Sequence, residues 1–267
     1  MKFVIILLFT IMITMIVSQK LDYSDEKTWP ALCKKGTSQS PIDFNSNYDY
    51  KTAKGHLKLL IFNYKPLVGS LSFMHEHKLG YVCPTGTDCG KITAIVDGIA
   101  CTYKFADLHV HLGSEHTLNT HRPDMEIHLV HTLDETVGDL TKLDIIKNKY
   151  LVLGILLKAD EKSDLAELNK LNADTLAPFD NFNPQNLVKA TDSFYHYKGS
   201  LTTPGCEEAV NWVVFNQAVN FGTKQKEAFN KHFKTLYPVG NARKTQKLGI
   251  RQIYISISNK LLKINKI

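Results

Sequence analysis

Short apolar runs alternate with polar turns along most of this chain. Five of these runs are rich in Ile, Val and Tyr, and Gly, Pro, Asn or Asp stands between them: 57–63, 92–105, 149–157, 209–219 and 250–258. Residues of these types favour extended chain, and those between the runs favour turns. The run 149–157 is apolar at consecutive positions, which indicates a central strand buried on both faces. The pattern therefore predicts a protein made mostly of β-strands.

Two stretches have helical periodicity instead. They are 163–171, with Ser163 or Asp164 as the N-cap, and 224–237, in which four large apolar side chains fall on one stripe: Phe229, Phe233, Leu236 and Tyr237. Residues 19–267 are enough for one large core and too few for a convincing second domain. We therefore predict a β-dominated α+β fold, a single domain built on a large, mainly antiparallel central β-sheet with peripheral short helices.

The first 18 residues differ from the rest of the chain. Lys2 is followed by an almost unbroken apolar run from Phe3 to Val17 and then by Ser18. This is the arrangement of a secretory signal peptide. A short membrane anchor is the alternative, but about 20 apolar residues are needed to span a bilayer. We expect cleavage near Ser18, which leaves residues 19–267 as a secreted, extracellular domain without a stable membrane span.

The net charge and the cysteine content indicate which binding partners and which redox compartment to expect. The net charge is +6 at pH 7, and the basic residues are scattered. Because they do not cluster with aromatic residues, the sequence argues against nucleic-acid binding. Five cysteines follow the signal segment: Cys33, Cys83, Cys89, Cys101 and Cys206. In an oxidising compartment they favour disulfides, and because their number is odd one thiol stays unpaired. Their spacing does not define the pairing.

Candidate chemistry is concentrated in residues 105–131, FADLHVHLGSEHTLNTHRPDMEIHLVH. His109 and His111 are two positions apart, so in a strand both side chains point to the same face. His128 lies in phase on a second predicted strand, and a polar loop joins the two strands. Placed next to each other, the strands bring three imidazoles around one point. Three protein nitrogens and one open position make up a catalytic zinc site.

Acidic residues accompany these histidines. A His-x-His pair alone is also typical of surface histidines or of hydrogen-bonded core histidines. Here Asp107 precedes His109 by two positions, and Glu126 precedes His128 by two, each on the same strand face as its histidine. A metal-bound imidazole usually donates its other N–H to a carboxylate or a carbonyl. The spacing therefore favours a metal site over the ordinary alternatives.

Five short motifs occur in a fixed order along the chain. They are Gln39-Ser40-Pro41-Ile42-Asp43, His109-Val110-His111, Gly113-Ser114-Glu115-His116-Thr117, Glu126-Ile127-His128-Leu129-Val130-His131 and Gly199-Ser200-Leu201-Thr202-Thr203-Pro204. Together they resemble the motifs of the α-class carbonic anhydrases. The resemblance runs from about Tyr23 to Ile257 and covers nearly all of the chain beyond the signal segment.

The resemblance implies an enzyme, a zinc lyase that reversibly hydrates CO2 to bicarbonate and a proton. His109, His111 and His128 match the three Zn2+ ligands of that family. The family's mechanism is attack on CO2 by zinc-bound hydroxide, which Thr202 and Glu115 orient. Without the resemblance, Thr202 and its neighbour would be an ordinary turn before a proline.

The substrate pocket is also implied by the resemblance. The matching residues are Thr203, Val130, Val152, Leu201 and Trp212, although apolar residues at such positions are equally consistent with plain core packing. Glu126 matches the family's hydrogen-bond partner of His128. Asp107 is a departure, because the family usually has Gln beside the first ligand. A carboxylate there is expected to make His109 a more basic ligand and to tighten zinc, at some cost to the acidity of the bound water.

Two further features of the family have counterparts here. His77 matches the histidine that carries protons between the site and the buffer, with His75 as a second candidate; a solvated pair of histidines is the alternative. Cys33 and Cys206 match the disulfide of secreted members. Among the remaining cysteines, Cys83 and Cys89 are close enough to bridge.

Two other classes of protein share parts of this pattern. His109, His111 and Glu115 also resemble the metal motif of a cupin, in which Glu115 would be a ligand and iron or manganese would be possible. The second cupin motif is not found downstream, and the threonine motif would have no role. A carbonic-anhydrase-like binding module without zinc is the other alternative, but such modules lose ligand histidines and this chain has all three.

Overall fold

The computed structural model describes residues 21–53, 56–74, 78–188, 193–237 and 240–256. Strands dominate these segments, and helices are few and mostly short. The strands are β1 (Asp43–Phe44), β2 (Lys51–Thr52), β3 (Leu57–Tyr64), β4 (Leu67–Gly69), β5 (Ser72–Met74), β6 (Lys78–Val82), β7 (Gly90–Val96), β8 (Ile99–Leu112), β9 (Thr117–Leu118), β10 (Met125–Leu133), β11 (Tyr150–Asp160), β12 (Phe179–Phe182), β13 (Phe194–Gly199), β14 (Val210–Phe215), β15 (Val219–Gly222) and β16 (Tyr254–Ser256). The α-helices are α1 (Ala31–Lys35), α2 (Ala166–Asn169) and α3 (Thr223–Leu236), and short 3-10 helices cover Glu26–Thr28, Ile146–Asn148 and Pro184–Leu187.

One large mixed sheet forms the centre of the described part of the chain. It contains 12 strands, nine of them in the order β2-β16-β13-β14-β11-β10-β8-β6-β5, with β15 beside β11 and the pair β3–β7 beside β8. Most neighbouring strands are antiparallel; the parallel pairs are β11–β14, β11–β15 and β16–β2. The predicted β-dominated fold with a large, mainly antiparallel central sheet is confirmed.

The central strand is β11, which lies between β10 and β14. Its side chains alternate between two apolar cores. Leu151, Leu153 and Ile155 belong to the larger core, while Val152 and Leu156 belong to the smaller one, and all five are at most 1% exposed. Each such side chain contributes roughly 1.5–3 kcal/mol by leaving water. The run 149–157 is thus the doubly buried strand that its sequence predicts.

The two histidine-bearing strands are neighbours in the sheet. In the antiparallel pair β8–β10, His128 stands opposite His109, and the residue opposite His111 is Glu126. Between them Ile127 faces Val110, and both side chains point into the larger core. The predicted common face of His109, His111 and His128 is confirmed, and it is the face of the smaller core. Earlier in β8 the alternation breaks, because the register shifts between Val130 and His131 and Ala106 packs against the smaller core.

Some predicted boundaries are wrong for identifiable reasons. The run 92–105 is two strands, because Asp97 and Gly98 have φ values of 49° and 82° and form the turn of a β7–β8 hairpin. Asp-Gly is the residue pair that such tight hairpin turns favour. In the run 250–258 the described strand is only Tyr254–Ser256.

The two predicted helices differ in how well they agree with the structure. The second is observed as Thr223–Leu236, and Phe229, Phe233 and Tyr237 are buried. The first is only Ala166–Asn169, with Leu165 at the N-cap position. Gln225 replaces the predicted side-chain cap, because it accepts from the Leu165 amide at 3.1 Å and donates to the Leu165 carbonyl at 2.9 Å.

The proposed signal segment, residues 1–18, lies outside the described residues. Within the part of the chain that the structure describes, no helix has the length and apolar character needed to cross a bilayer.

Two disulfides close loops of very different length. Cys33 in α1 is bonded to Cys206 in the β13–β14 loop, 173 positions away, as the resemblance implies. Cys83 is bonded to Cys89, six positions away, and Cys101 is a buried free thiol. The long disulfide fixes the N-terminal segment to the loop that carries Thr202.

We predict that the long disulfide stabilises the fold more than the short one. The chain-entropy model gives about 5 kcal/mol for closing the Cys33–Cys206 loop and about 2 kcal/mol for the Cys83–Cys89 loop. Urea unfolding of the oxidised protein should therefore show a larger loss of unfolding free energy for Cys33→Ser/Cys206→Ser than for Cys83→Ser/Cys89→Ser. Equal losses would contradict the prediction.

Candidate active site

Three imidazoles from β8 and β10 meet at one point. His109, His111 and His128 are each at most 3% exposed. His109 Nε2 lies 3.3 Å from His128 Nδ1, and the ligand nitrogens of all three rings are within 4.8 Å of one another. Adjacent antiparallel strands produce this arrangement because opposite side chains share a face.

Each ring is held from its outer side by an acceptor. His109 Nδ1 lies 2.6 Å from Asp107 Oδ1, and His128 Nε2 lies 2.9 Å from Glu126 Oε1. His111 Nδ1 lies 2.8 Å from the carbonyl oxygen of Asn241. We assign the N–H to these outer nitrogens because their partners can only accept. The lone pairs therefore point inward on His109 Nε2, His111 Nε2 and His128 Nδ1.

The inward nitrogens fit a tetrahedral zinc ion. Zn–N bonds of about 2.0–2.1 Å at tetrahedral angles separate two ligand nitrogens by about 3.3–3.4 Å. The separation between His109 and His128 is 3.3 Å. His111 Nε2 is buried with no hydrogen-bond partner in the described part of the chain. A buried lone pair without a donor is costly in a protein, and a metal ion at this point would satisfy it.

Neutral imidazoles are the form that binds a metal, and the environment favours that form. Burial lowers the pKa of His111 well below its ordinary value, and the neighbouring His128 and His109 lower it further. Burial also lowers the pKa of His128, although the Glu126 carboxylate opposes this effect. The free site is therefore prepared to accept a cation without first losing protons.

Glu126 is the most fully bonded carboxylate of the site. Its Oε1 accepts from His128 Nε2 and from His116 Nδ1 at 2.8 Å, and its Oε2 accepts from the amides of Glu115 and His116, each at 2.8 Å. Burial alone would raise the pKa of Glu126, but His116 and His128 hold it well below the usual range. Glu126 is therefore ionised. It fixes both the ring of His128 and the loop that precedes β9.

A glycine makes room for this carboxylate. Gly154 on β11 stands opposite His128, and a Cβ at that position would lie 2.7 Å from Glu126 Oε1. Any larger residue would displace the carboxylate from its four donors. Gly154 is a residue of the site that the sequence pattern did not single out.

Glu115 lies between the rings and the backbone of Arg243. Its Oε1 accepts from the Arg243 amide at 2.8 Å, while its Oε2 lies 3.4 Å from His111 Nε2. Burial raises the pKa of Glu115 to about 8, against the opposing effects of the Thr202 hydroxyl and the Arg243 amide. A cation bound beside it would favour the ionised form, because a nearby opposite charge lowers a carboxyl pKa.

Glu115 Oε2 lies 3.4 Å from His111 Nε2 and 3.9 Å from His128 Nδ1, but Glu115 does not join the three histidines as a candidate ligand. The groups that could hold a metal among the described residues are the three histidines and the set of His116, Glu126 and His128. The second set is already joined by hydrogen bonds of 2.8 and 2.9 Å around Glu126. The structure thus favours the three-histidine centre over the cupin arrangement, in which Glu115 would be a ligand.

The loop between β13 and β14 carries Thr202 and is fixed at several points. Trp212 Nε1 donates to the Ser200 carbonyl at 3.0 Å, and the Leu201 amide donates to the Glu207 carbonyl at 3.0 Å. The disulfide at Cys206 adds a covalent tie. Thr202 itself is buried at 4% exposure. Its hydroxyl is near enough to Glu115 to lower the pKa of that carboxyl.

Comparisons with known proteins agree with this geometry. A sequence model of the eukaryotic-type carbonic anhydrases matches residues 24–257. Alpha carbonic anhydrase 2 of Arabidopsis thaliana is 34% identical over 68% of this chain and 69% of that protein. Mitochondrial carbonic anhydrase 5B of Mus musculus is 29% identical over 74% of this chain and 65% of that protein. The α-carbonic anhydrase of Thermovibrio ammonificans, solved with the inhibitor sulfanilamide, has a TM-score of 0.61 and 27% identity over 84% of this chain and 89% of that one.

The chain belongs to the α-class carbonic anhydrases. It is an enzyme of that family.

The apolar residues expected to form the substrate pocket of this carbonic anhydrase lie together in the smaller core. Val130, Val152 and Trp212 are at most 8% exposed, and Leu201 packs against the same cluster. Thr203 is partly exposed at the edge of the loop, where its carbonyl accepts from the Cys206 amide at 2.9 Å. His75 and His77 lie outside the described residues.

Several residues of this carbonic anhydrase site carried no role in the sequence analysis. The His116 ring continues the network from Glu126, because His116 Nε2 lies 2.7 Å from the Tyr197 hydroxyl, which lies 2.8 Å from the Ser40 hydroxyl. Ser40 Oγ also accepts from the Ser200 amide at 3.0 Å. Hydrogen bonds therefore connect His128 to the threonine loop. Ser40 lies in the first of the five sequence motifs and His116 in the third. Those motifs were the sequence signal that could have identified both residues.

Asp107 gives this member of the family a carboxylate on the first histidine. We predict that Asp107→Gln weakens zinc affinity by roughly tenfold, the lower end of the effect of removing such a partner, because a neutral amide polarises the His109 ring less. Chelator competition measures the affinity. The pH–rate profile should shift to lower pH at the same time.

The control for this prediction is Asp139→Gln, which removes an exposed carboxylate from a loop outside the site. An unchanged zinc affinity and an unchanged pH–rate profile in Asp107→Gln, equal to those of the control, would show that the carboxylate has no special effect.

Proposed function

We propose that this enzyme catalyses the reversible hydration of CO2 to bicarbonate and a proton, with zinc held by His109, His111 and His128. The convergence of three inward nitrogens, each fixed by an outer acceptor, is the observation that carries the proposal. When bound there, zinc supplies a water molecule whose pKa is lowered to about 7, a shift for which carbonic anhydrase is itself the standard example.

The chain's own residues would orient the attacking oxygen. Thr202 accepts a hydrogen bond from that oxygen and donates its own to Glu115, so that one lone pair is directed at the carbon of CO2. This requires Glu115 to be ionised as an acceptor. The Arg243 amide supports that form by donating to Glu115 Oε1 at 2.8 Å.

The substrate has no charge, and the proposed pocket suits it. Val130, Val152 and Leu201 offer an apolar wall, and the Trp212 ring of the same cluster lies 4.8 Å from the His128 ring. An apolar wall holds CO2 without hydrogen bonds and excludes water that would compete for the same space. Thr203 at the rim is proposed to contact the polar product.

The proton released in each turnover must reach the solvent. We assign this transfer to His77, with His75 as the second candidate, because an imidazole that titrates near neutral pH exchanges protons with buffer. The sequence match to the family's proton-carrying histidine supports this assignment.

We also propose that residues 1–18 are a signal peptide and that residues 19–267 are secreted. The apolar N-terminal run and the two disulfides support this proposal. Related enzymes include a mitochondrial form, so the compartment needs its own test.

Expression in a secretory host tests the compartment. We predict that the protein accumulates in the medium, and that N-terminal sequencing begins near Gln19. A protein retained in the cell with Met1 or the apolar run intact would contradict the assignment of the signal peptide.

The proposed reaction is tested by zinc content together with CO2 hydration. We expect one zinc per chain and hydration that sulfanilamide inhibits. Thr202→Ala should retain zinc and lose roughly 100-fold in kcat/KM, because misplacing the attacking oxygen costs about that factor. Thr202→Ser, which keeps the hydroxyl, should retain most of the activity.

Two outcomes would contradict the proposal. A wild-type protein without stoichiometric zinc, or with zinc but without CO2 hydration, would exclude the reaction. Equal activity of Thr202→Ala and the wild type would exclude the orienting role of Thr202 while leaving the reaction itself intact.

A further inference from the structure

Lys78 stands beside the metal centre and belongs to neither the ligand set nor the apolar wall. It is the first residue of β6, which is antiparallel to β8. Leu79 is paired with Val110 and Gly80 with His109, so the same register continued by one residue sets Lys78 across from His111. Opposite residues of an antiparallel pair share a face. Lys78 is therefore on the face that carries the ligand histidines, while Leu79 points into the larger core.

Gly80 brings this part of β6 close to the histidines. A Cβ on Gly80 would lie 2.8 Å from the Cβ of His109 and 2.7 Å from Met74 Sδ. No side chain fits between these atoms, so Lys78 is the nearest residue of β6 that presents a side chain to this face. Met74 on β5 is paired with Lys78 and flanks it on the outer side.

The charge of Lys78 acts on the groups of the centre. Its ammonium lowers the pKa of both His111 and His128. Burial lowers the pKa of Lys78 itself, and the carboxylates of Asp107 and Glu115 oppose that effect. The strand register places Lys78 on the face of the ligand histidines, and these mutual effects agree with that placement.

We propose that Lys78 is a specificity-determining residue that attracts small monovalent anions, bicarbonate above all, into the metal cavity. The inference rests on the proposed function. Lys78 is half-buried, and a positive charge in a partly desolvated position attracts an anion far more strongly than the same charge in water. It does not discriminate for or against CO2, which has no net charge. Asp107 moderates the attraction, so that the product anion is held and still released.

Anion binding to zinc-loaded variants tests this role without relying on turnover. Thiocyanate is the probe, because it is ionised at all working pH values, and calorimetry at constant ionic strength gives its dissociation constant. Bicarbonate competing with thiocyanate gives a second constant. We expect Lys78→Met to raise both constants by roughly three- to tenfold. Lys78→Arg keeps the charge and should bind both anions as the wild type does.

Lys91→Met is the matched control. Lys91 is an exposed lysine of β7, away from the histidines, and its loss changes the net charge by the same amount. Equal anion constants in Lys78→Met and Lys91→Met would overturn the inference.

Zinc content of every variant is measured first. If Lys78→Met and Lys78→Gln both lose zinc while Lys91→Met keeps it, then Lys78 supports the metal site and not the anion, which also overturns the inference. Failure of the wild type to bind zinc or to hydrate CO2 would instead overturn the proposed function. The two failures are therefore distinguishable.

Discussion

The buried carboxylate of Glu126 is the group on which the rest of the site depends. It accepts hydrogen bonds from two imidazoles and from two backbone amides. A buried charge is tolerated only when its lone pairs are satisfied, and here all the donors come from the site itself. Removing this one group would leave His128 without its outer partner and the Glu115 amide without an acceptor.

The three imidazoles are held by acceptors of different strength. Asp107 and Glu126 are carboxylates, whereas His111 bonds to a neutral backbone carbonyl. Asp107 is also the more exposed of the two carboxylates, with 20% of its side chain accessible. Solvent weakens its electrostatic effect relative to that of Glu126. The centre therefore has one strongly anchored histidine on β10 and a more adjustable one on β8.

The fold places the buried Glu126 carboxylate next to the apolar side chains of the smaller core. β11 contributes Val152 to the smaller core, next to Trp212 of β14, and Gly154 to the space that Glu126 fills. One face of β11 thus supplies both an apolar side chain beside Trp212 and the room for a buried carboxylate. The network through His116, Tyr197 and Ser40 then joins the carboxylate to the loop of Thr202.

Sequence patterns predicted the parts of this site that depend on local alternation. The faces of β8 and β10, and the carboxylates two residues before His109 and His128, follow from a period of two. The partner of His111 could not be found in this way, because Asn241 is 130 positions away. Lys78 was missed for the same reason, since its place beside His111 depends on the register of β6 and β8. The family resemblance, and not the local pattern, pointed to Thr202.

A crystal structure of the zinc-loaded protein tests the three-histidine centre most directly. We predict one zinc within about 2.0–2.1 Å of His109 Nε2, His111 Nε2 and His128 Nδ1. Glu115 should remain outside bonding distance and accept from the Arg243 amide. Zinc bonded to Glu115, or bound between His116, Glu126 and His128, would contradict this assignment of the metal centre.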